Sequence, residues 1–210
     1  AGIGITGCGR DEIAHYIIFG GQTMRKNFGA KPMCYPMPVF IIGTYDENGV
    51  ADAMNAAWGG ISEENEISIC VSADHKTTYN FEKTGEFTVS IADVKNVVAA
   101  DYVGIVSGND VPNKVEKAGW TPVKAENVNA PLFEELPFAL ECKVKSYEAD
   151  ICRLVGEIVN VSADESILGE DGEVDLAKFV PITYDAIHHH YVALGEKVGN
   201  AFADGKELDK

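Results

Sequence analysis

The chain has 210 residues, of which 46% are apolar and 24% are charged. This length and composition are typical of one folded domain and exclude a wholly disordered chain. Its 33 acidic residues exceed its 17 basic ones, so the formal net charge is −16. Such a surface repels polyphosphate backbones and anionic lipid, which weighs against nucleic acid and membrane surfaces as partners. No apolar run approaches the roughly 20 residues that span a bilayer.

The cysteine pattern points to free thiols. The five cysteines are Cys8, Cys34, Cys70, Cys142 and Cys152, and no two of them form a CxxC pair. Neither a disulfide framework nor a thiolate zinc site is indicated, and the pattern fits a reducing cytoplasm. Cys70 and Cys142 lie in alternating apolar runs, so we predict that both are buried.

Residues 1–23 differ from the rest of the chain. They carry six of the 21 glycines and show no hydrophobic period, and Met24 follows them as a natural start. We interpret 1–23 as an N-terminal extension, vector-derived or from a mis-assigned start, and assign 24–210 to the functional domain. The run Gly2–Gly7 matches G-x-G-x-x-G, but no strand can precede it, so we treat the match as chance.

From Pro36 onward the pattern is that of β-structure. The apolar run 39–45 predicts a strand buried on both faces. Asn48-Gly49 predicts a tight turn, and 50–58 is its partner strand, ended by Gly59-Gly60. Clean alternation predicts a further strand over 66–72.

Thr77 is predicted to cap a short helix over 78–83, which Gly85 ends. The next strand is 87–91, where the residues alternate again. The remaining elements are predicted as helices over 94–106 and 113–118, a surface segment over 121–137, strands over 138–147 and 151–161, an acidic loop over 164–175 and a tail over 181–202. Many short strands, few helices and no regular βαβ alternation predict a mainly β, antiparallel barrel with inserted helices.

The first candidate for chemistry is the run 74–81, which lies between a strand and a predicted helix start. A helix N-terminus presents free backbone N–H groups and the positive end of the helix dipole. With His75, Lys76 and the hydroxyls of Thr77 and Thr78, it would make a pocket for one phosphate group. The alternative is that Thr77 merely caps the helix while Lys76 is solvated, and the run alone favours that alternative.

The second candidate is the run 52–60. Small residues flank Asn55, so a flat ligand could approach the backbone, whose polar groups would read the edge of a planar ring. The alternative is an ordinary packed strand whose Trp58 belongs to the core. Together, the two runs suit a planar heterocycle that carries one phosphate, and FMN is the obvious candidate.

At this point the chain resembles the flavin reductase-like, FMN-binding split-barrel proteins, particularly their flavoredoxin-like branch. The resemblance runs from Met24 to the C-terminus and rests on the order and spacing of short segments that are each weak alone. These segments are Tyr35–Val39, Asp52–Trp58, His75–Thr77 with Asn80-Phe81, Thr84–Phe87, Gly156–Ile158 and Leu194–Phe202. The resemblance implies a six-stranded antiparallel split β-barrel and a homodimer, with FMN at or near the subunit interface.

The resemblance also implies site residues. The residues that would line the isoalloxazine ring are Asn55, Ala56, Ala57 and Trp58. Those that would hold the phosphate and the ribityl chain are Ser72, His75, Lys76, Thr77 and Thr78. Arg153 occupies a position where relatives often carry His or Arg facing the flavin. Tyr191 and the segment 195–202 would pack over the neighbouring subunit or cover the pocket.

Three functional hypotheses follow. The first is an FMN-dependent flavin reductase that takes a hydride from NADH or NADPH; the flavin accepts it, so no catalytic residue is assigned. The second is a flavoredoxin-type electron carrier, whose acidic surface could meet a basic redox protein. The third is a flavin-binding protein without turnover.

The run His188–His190 is predicted to be solvated, since consecutive side chains do not converge on one ion, and no metal site is assigned.

Overall fold

The computed structural model describes residues 25–209, so the predictions for 1–23, including the Gly2–Gly7 match, lie outside them. The chain divides between Pro32 and Met33. Residues 25–32 form an exposed segment without helix or strand, and residues 33–209 form the folded unit described below. Within 25–209, no helix has the length and apolar character needed to cross a bilayer.

The folded unit is built mainly from β-strands. Its strands are β1 (Phe40–Tyr45), β2 (Ala51–Ala56), β3 (Gly59–Glu63), β4 (Glu66–Cys70), β5 (Glu86–Ile91), β6 (Pro122–Lys124), β7 (Pro131–Phe133), β8 (Phe138–Glu148), β9 (Arg153–Ala163), β10 (Ile182–Asp185) and β11 (His190–Ala193). Its α-helices are α1 (Lys76–Thr84), α2 (Val97–Ile105) and α3 (Lys114–Lys117), and short 3-10 turns cover Ala149–Ile151, Glu165–Ile167 and Asp204–Asp209.

One antiparallel sheet dominates, with the strand order β2-β1-β5-β8-β9-β4-β3. Its two outermost strands, β2 and β3, are separated in the chain only by Ala57 and Trp58. Because the opposite edges of the sheet are joined by so short a link, the sheet must curl on itself. The predicted fold class, a mainly β split barrel with inserted helices, is confirmed.

The sheet has seven strands, one more than the resemblance implied. The additional strand is β3, which begins at the Gly59-Gly60 pair that we expected to end the preceding strand. Gly59 pairs with Ile69 and Gly60 pairs with Ser68. A Cβ at Gly59 would lie 2.8 Å from the Ser68 carbonyl oxygen, so glycine allows the close approach of this edge.

Two hydrophobic clusters lie on opposite faces of the sheet. The first fills the curl and includes Phe81, Phe87 and Cys142; the second lies under α2 and α3 and includes Ile41 and Trp120. Strand β1 contributes alternately to both clusters, as predicted for a strand buried on both faces. The prediction of two buried thiols holds for Cys142 and is wrong for Cys70, which is exposed, because β4 turns its alternate residues to the core.

Three local predictions need correction. Helix α1 begins at Lys76, two residues earlier than predicted, with His75 rather than Thr77 as the N-cap. The predicted tail 181–202 contains the hairpin β10–β11, and the segment 121–137 contains the hairpin β6–β7, whose Phe133 is buried. In each case tertiary pairing or packing decides the structure where local pattern is weak.

Candidate functional site

A cleft of about 210 Å³ lies where β2, the start of α1 and the end of α2 meet. We call it the α1 cleft. It brings together four of the predicted site residues, which are Asn55, His75, Lys76 and Thr77. The opposite wall is the segment 103–108, which sequence reasoning did not assign to the site. The available signal was the run of turn residues Ser107–Asp110 directly after an apolar helix.

The start of α1 is rich in unused hydrogen-bond donors. Within residues 25–209, the backbone N–H groups of Lys76, Thr77 and Thr78 have no acceptor, as expected for the first turn of a helix. The N-cap residue His75 makes no side-chain cap bond, and its buried Nδ1 has no partner among the described residues. Buried polar atoms normally have partners. Unused donors and the positive dipole end therefore fit the phosphate of FMN.

Lys76 supplies a cation at this point, although part of its charge is balanced. Its Nζ lies 3.6 Å from Oδ2 of Asp46 and 5.3 Å from the centroid of the Tyr79 ring. Burial would raise the pKa of Asp46, but backbone N–H donors of Val50 and Asn48, with Lys76, lower it below its ordinary value. Asp46 is therefore a fixed negative charge that competes with any anion for Lys76.

The hydroxyls predicted to hold the phosphate are used within the protein. Thr77 is almost fully buried, and its Oγ1 donates to Oδ2 of Asp52 at 2.8 Å. Oγ1 of Thr78 donates to the carbonyl oxygen of Ser72 at 2.7 Å. Thr77 lines the cleft at the helix start, whereas Thr78 and Ser72 support that start and do not line the cleft.

A buried ion pair that sequence reasoning missed lies in the wall of the cleft, which Lys114 lines. Nζ of Lys114 is 3.2 Å from Oδ1 of Asp52, and their side chains are only 4% and 6% exposed. The same ammonium donates to the carbonyl oxygens of Val106 at 3.1 Å and Val103 at 3.5 Å. Cations are favourable at a helix C-terminus. Lys114 therefore ties the end of α2 to β2 and fixes the wall of the α1 cleft.

The ring-binding end begins at Asn55. Its Nδ2 donates to the carbonyl oxygen of Ala100 at 3.0 Å and lies 3.4 Å from the hydroxyl of Tyr191. That hydroxyl donates to Oδ1 of Asp101 at 2.8 Å, and burial together with this bond raises the pKa of Tyr191. The side chain of Ala56 is buried in the curl of the sheet, so a ligand in the cleft could meet only its backbone.

A second cleft of about 400 Å³ continues from the first. We call it the hairpin cleft, because the hairpin β10–β11 forms one of its walls. It shares Asn55, Gly104 and Ile105 with the α1 cleft, and Ala57 lines it as well. The two clefts adjoin at these shared residues, and together we call them the groove; its α1 end has the unused donors, and its hairpin end has the rings of Tyr184, His189 and Tyr191.

Trp58 and Arg153 are not brought to this groove. They line a separate cleft of about 410 Å³ on the β3–β4 side of the sheet. Trp58 is 52% exposed, so the alternative of a core tryptophan is wrong. Arg153 is also exposed, and its Nη1 lies 3.9 Å from Oε1 of Glu148. The predicted roles of Trp58 and Arg153 beside a flavin ring stay predictions, because neither residue lines the groove within one copy of the chain.

Comparison with known proteins gives this geometry a context. A family model described as flavin reductase like domain matches residues 33–192. The structure of flavoredoxin from Desulfovibrio vulgaris (Miyazaki F) is similar, with 37% sequence identity and a TM-score of 0.83; the match covers 87% of this chain and 100% of that one. Flavoredoxin from Methanosarcina acetivorans is 26% identical with a TM-score of 0.77, covering 90% and 100%.

An uncharacterized protein of Bacillus subtilis (strain 168), YdfE, is 24% identical over 197 residues, which cover 84% of this chain and 93% of that protein. The family model spans most of the folded unit, and it includes the strands and helices that form both clefts. The chain therefore belongs to the flavin reductase-like family of flavin-binding, oxidoreductase-like split-barrel proteins.

Proposed function

We propose that this chain is an FMN-dependent oxidoreductase that takes a hydride from NADH or NADPH. The observation that carries the proposal is the groove, in which unused N–H donors and Lys76 lie at one end and Asn55 with Gly104 lies between the two clefts. In it, the start of α1 binds the phosphate, and the segment 103–108 with Asn55 borders the ring. FMN, when bound, supplies the hydride-accepting ring.

The residues of the groove position FMN and shield it from water, and none of them reacts with it. The amide of Asn55 is held in one orientation by the Ala100 carbonyl, so its free oxygen has a defined direction. The network of Lys114, Asp52 and Thr77 fixes the distance between α2 and the start of α1. A preorganised site of this kind gains affinity because little ordering is left to occur on binding.

The phosphate contact can be tested with a pair of ligands. Lys76→Ala should weaken FMN binding by about 1.5–3 kcal/mol, the value of a hydrogen bond to a charged group. Riboflavin lacks the phosphate, so its affinity should stay unchanged. Lys83→Ala is the matched control, because Lys83 lies 5.5 Å from the same Tyr79 ring but in the last turn of α1. Equal losses for FMN and riboflavin would remove the phosphate site from the α1 cleft.

A flavoredoxin-type electron carrier is the second candidate, favoured by the 37% identity with flavoredoxin. Anaerobic mixing separates the two. Bleaching of the flavin by NADH or NADPH, with turnover of added free flavin, supports the reductase. Bleaching only by a reduced protein donor supports the carrier, and the net charge of −16 would then favour a basic partner. Bound flavin that neither donor reduces would indicate a flavin-binding protein without turnover.

We further propose that the protein is a homodimer. The support is the exposed C-terminal segment, in which the apolar side chains of Val198 and Phe202 are 101% and 98% exposed. Exposed apolar side chains of this size are typical of contact surfaces. Light scattering coupled to gel filtration tests the state directly, and a monomer at micromolar concentration would contradict it. Loss of the dimer on removal of residues 195–210 would place the contact in this segment.

A further inference from the structure

The hairpin cleft has three rings in its wall, together with the polar side chains of Asn55 and Asp101. Tyr184, His189 and Tyr191 form the hairpin wall, and the centroids of the two tyrosine rings are 6.1 Å apart. The facing wall is Asn55 with Ala57. This wall adjoins the ring-binding end of the groove, so a small molecule in the hairpin cleft would lie beside the flavin of the proposed function.

The charges of the hairpin cleft disfavour an anionic ligand. No lysine or arginine lines it, whereas the α1 cleft has Lys76 and Lys114. The carboxylate in its lining, Asp101, accepts a hydrogen bond from Tyr191. A phosphate-bearing group would find no cation here, and an aromatic ring would find faces on which to stack. A neutral, planar molecule is therefore favoured over an anion.

His189 is unusual in its backbone. Its φ is +58°, a left-handed conformation that residues with a Cβ adopt at a cost, and its N–H donates to the carbonyl oxygen of Asp185 at 2.8 Å. Gly or Asn would normally occupy such a turn position. Residues in such backbone conformations cluster at functional sites. The strained position turns this histidine, and neither of its neighbours, into the wall of the cleft.

The imidazole of His189 is oriented by a tyrosine. Its Nδ1 lies 2.7 Å from the hydroxyl of Tyr184. When that hydroxyl donates, the ring proton is on Nε2, which has no partner within residues 33–209. By contrast, Nδ1 of His188 is 2.7 Å from Oδ2 of Asp185, and the ring of His188 stacks on that of His190. Within residues 25–209, no three side chains of metal-ligand type come together, so this ring is not explained as a metal ligand.

We propose that the hairpin cleft binds a neutral quinone, with one carbonyl oxygen accepting a hydrogen bond from Nε2 of His189. Reduction of the quinone rests on the proposed function, because the electrons come from the flavin. Binding of the quinone does not depend on it. Conversion of a quinone to its hydroquinone takes up two electrons and two protons. FMN, when bound and reduced, would supply a hydride, which carries both electrons and one proton, and His189 in its imidazolium form would supply the second proton from Nε2 to the carbonyl oxygen. The exposed His189 then regains its proton from water.

Binding is tested with duroquinone, a fully methylated benzoquinone that does not add thiols. His189→Asn keeps the turn, since Asn tolerates the left-handed conformation, and removes the imidazole donor. Quenching of tyrosine fluorescence, with and without added FMN, should show duroquinone affinity lowered roughly fivefold, the factor that one neutral hydrogen bond is worth. His190→Asn, the matched control, should bind as the unchanged protein does. Equal affinities for all three proteins would overturn the proposal.

Kinetics separate proton donation from mere shape. In the FMN-loaded protein, His189→Asn should lower kcat for duroquinone roughly 100-fold, a typical value for a positioned acid. Reduction of ferricyanide needs an electron and no proton, so its rate should not change. Tyr184→Phe should shift only the duroquinone rate in the same direction, because it removes the hydroxyl that orients the ring. Equal losses for both acceptors would reduce His189 to a structural role and refute the assignment.

The two proposals fail separately. If the protein binds no flavin, the proposed function falls, while duroquinone quenching in the flavin-free chain still tests the cleft. If FMN binds and NADH reduces it, but duroquinone binding is indifferent to His189, the proposed function stands and this inference falls. Circular dichroism melts of each variant show whether the fold is retained.

Discussion

Replacing Lys114 by methionine would leave the carboxylate of Asp52 buried beside a single hydroxyl, that of Thr77. Both ionic side chains are 6% exposed or less, and their charged atoms are 3.2 Å apart. Removing one partner of a buried pair typically costs about 3–5 kcal/mol, because the remaining charge stays desolvated. Methionine retains most of the apolar stem of lysine, so a cavity adds little. We expect the free energy of unfolding to fall by about 3–5 kcal/mol.

Urea unfolding followed by circular dichroism measures this change, with the slope m expected to stay constant. Lys117→Met is the matched control on the same helix; Lys117 is exposed, so its loss should matter by no more than about 0.5 kcal/mol. Adding Asp52→Asn to Lys114→Met should restore part of the stability, because the unpaired charge is then removed. A loss below about 1 kcal/mol, or simple additivity of the two changes, would refute the coupling described for this pair.

Three further outcomes are expected. The pKa of Asp46 in the folded protein lies below its ordinary value of 3.8. Its carboxylate therefore adds to the free energy of unfolding above pH 3.8, and this contribution is lost as the pH falls through the lowered pKa. In Asp46→Asn, the free energy of unfolding should fall less steeply with acid, as urea unfolding at several pH values can show. Gly43→Ala would place a Cβ 2.5 Å from Oγ1 of Thr88, so thermal melts should show a loss of about 1–3 kcal/mol, and an unchanged melt would contradict the close approach. Burial raises the pKa of Cys142 to about 12, so a disulfide reagent at neutral pH should label Cys70 and spare Cys142 until denaturant is added, as peptide mapping can show.

Strands with one buried face could be predicted from the sequence, because every second side chain points to the core and is apolar. Ile67, Ile69 and Val71 show it, and all three are buried. Strand β3 could not be predicted, since its residues are mostly exposed and only pairing with β4 holds them. The start of α1 was misplaced because a threonine before a helix usually caps it, whereas here Thr77 is inside the helix and bonds to Asp52.

The candidate site divides in the same way. The phosphate end could be predicted because His75 and Lys76 are consecutive and precede a helix. The pair of Asp52 and Lys114 could not, since the two residues lie far apart in the chain and follow no local pattern. The contribution of His189 to the hairpin cleft was missed, because left-handed turns usually contain Gly or Asn and this turn has His189 instead.

The link of Ala57 and Trp58 acts as a tether. Three successive Cα steps separate Ala56 from Gly59, so the two free edges can move apart by no more than about 11 Å at that point. If the sheet opens when a ligand enters, the movement must therefore occur away from this connection between β2 and β3. A circular permutant opened between Ala57 and Trp58 would keep every strand pair but would remove this covalent connection. Faster hydrogen exchange confined to β2 and β3 would then measure how strongly the connection restrains the two edges.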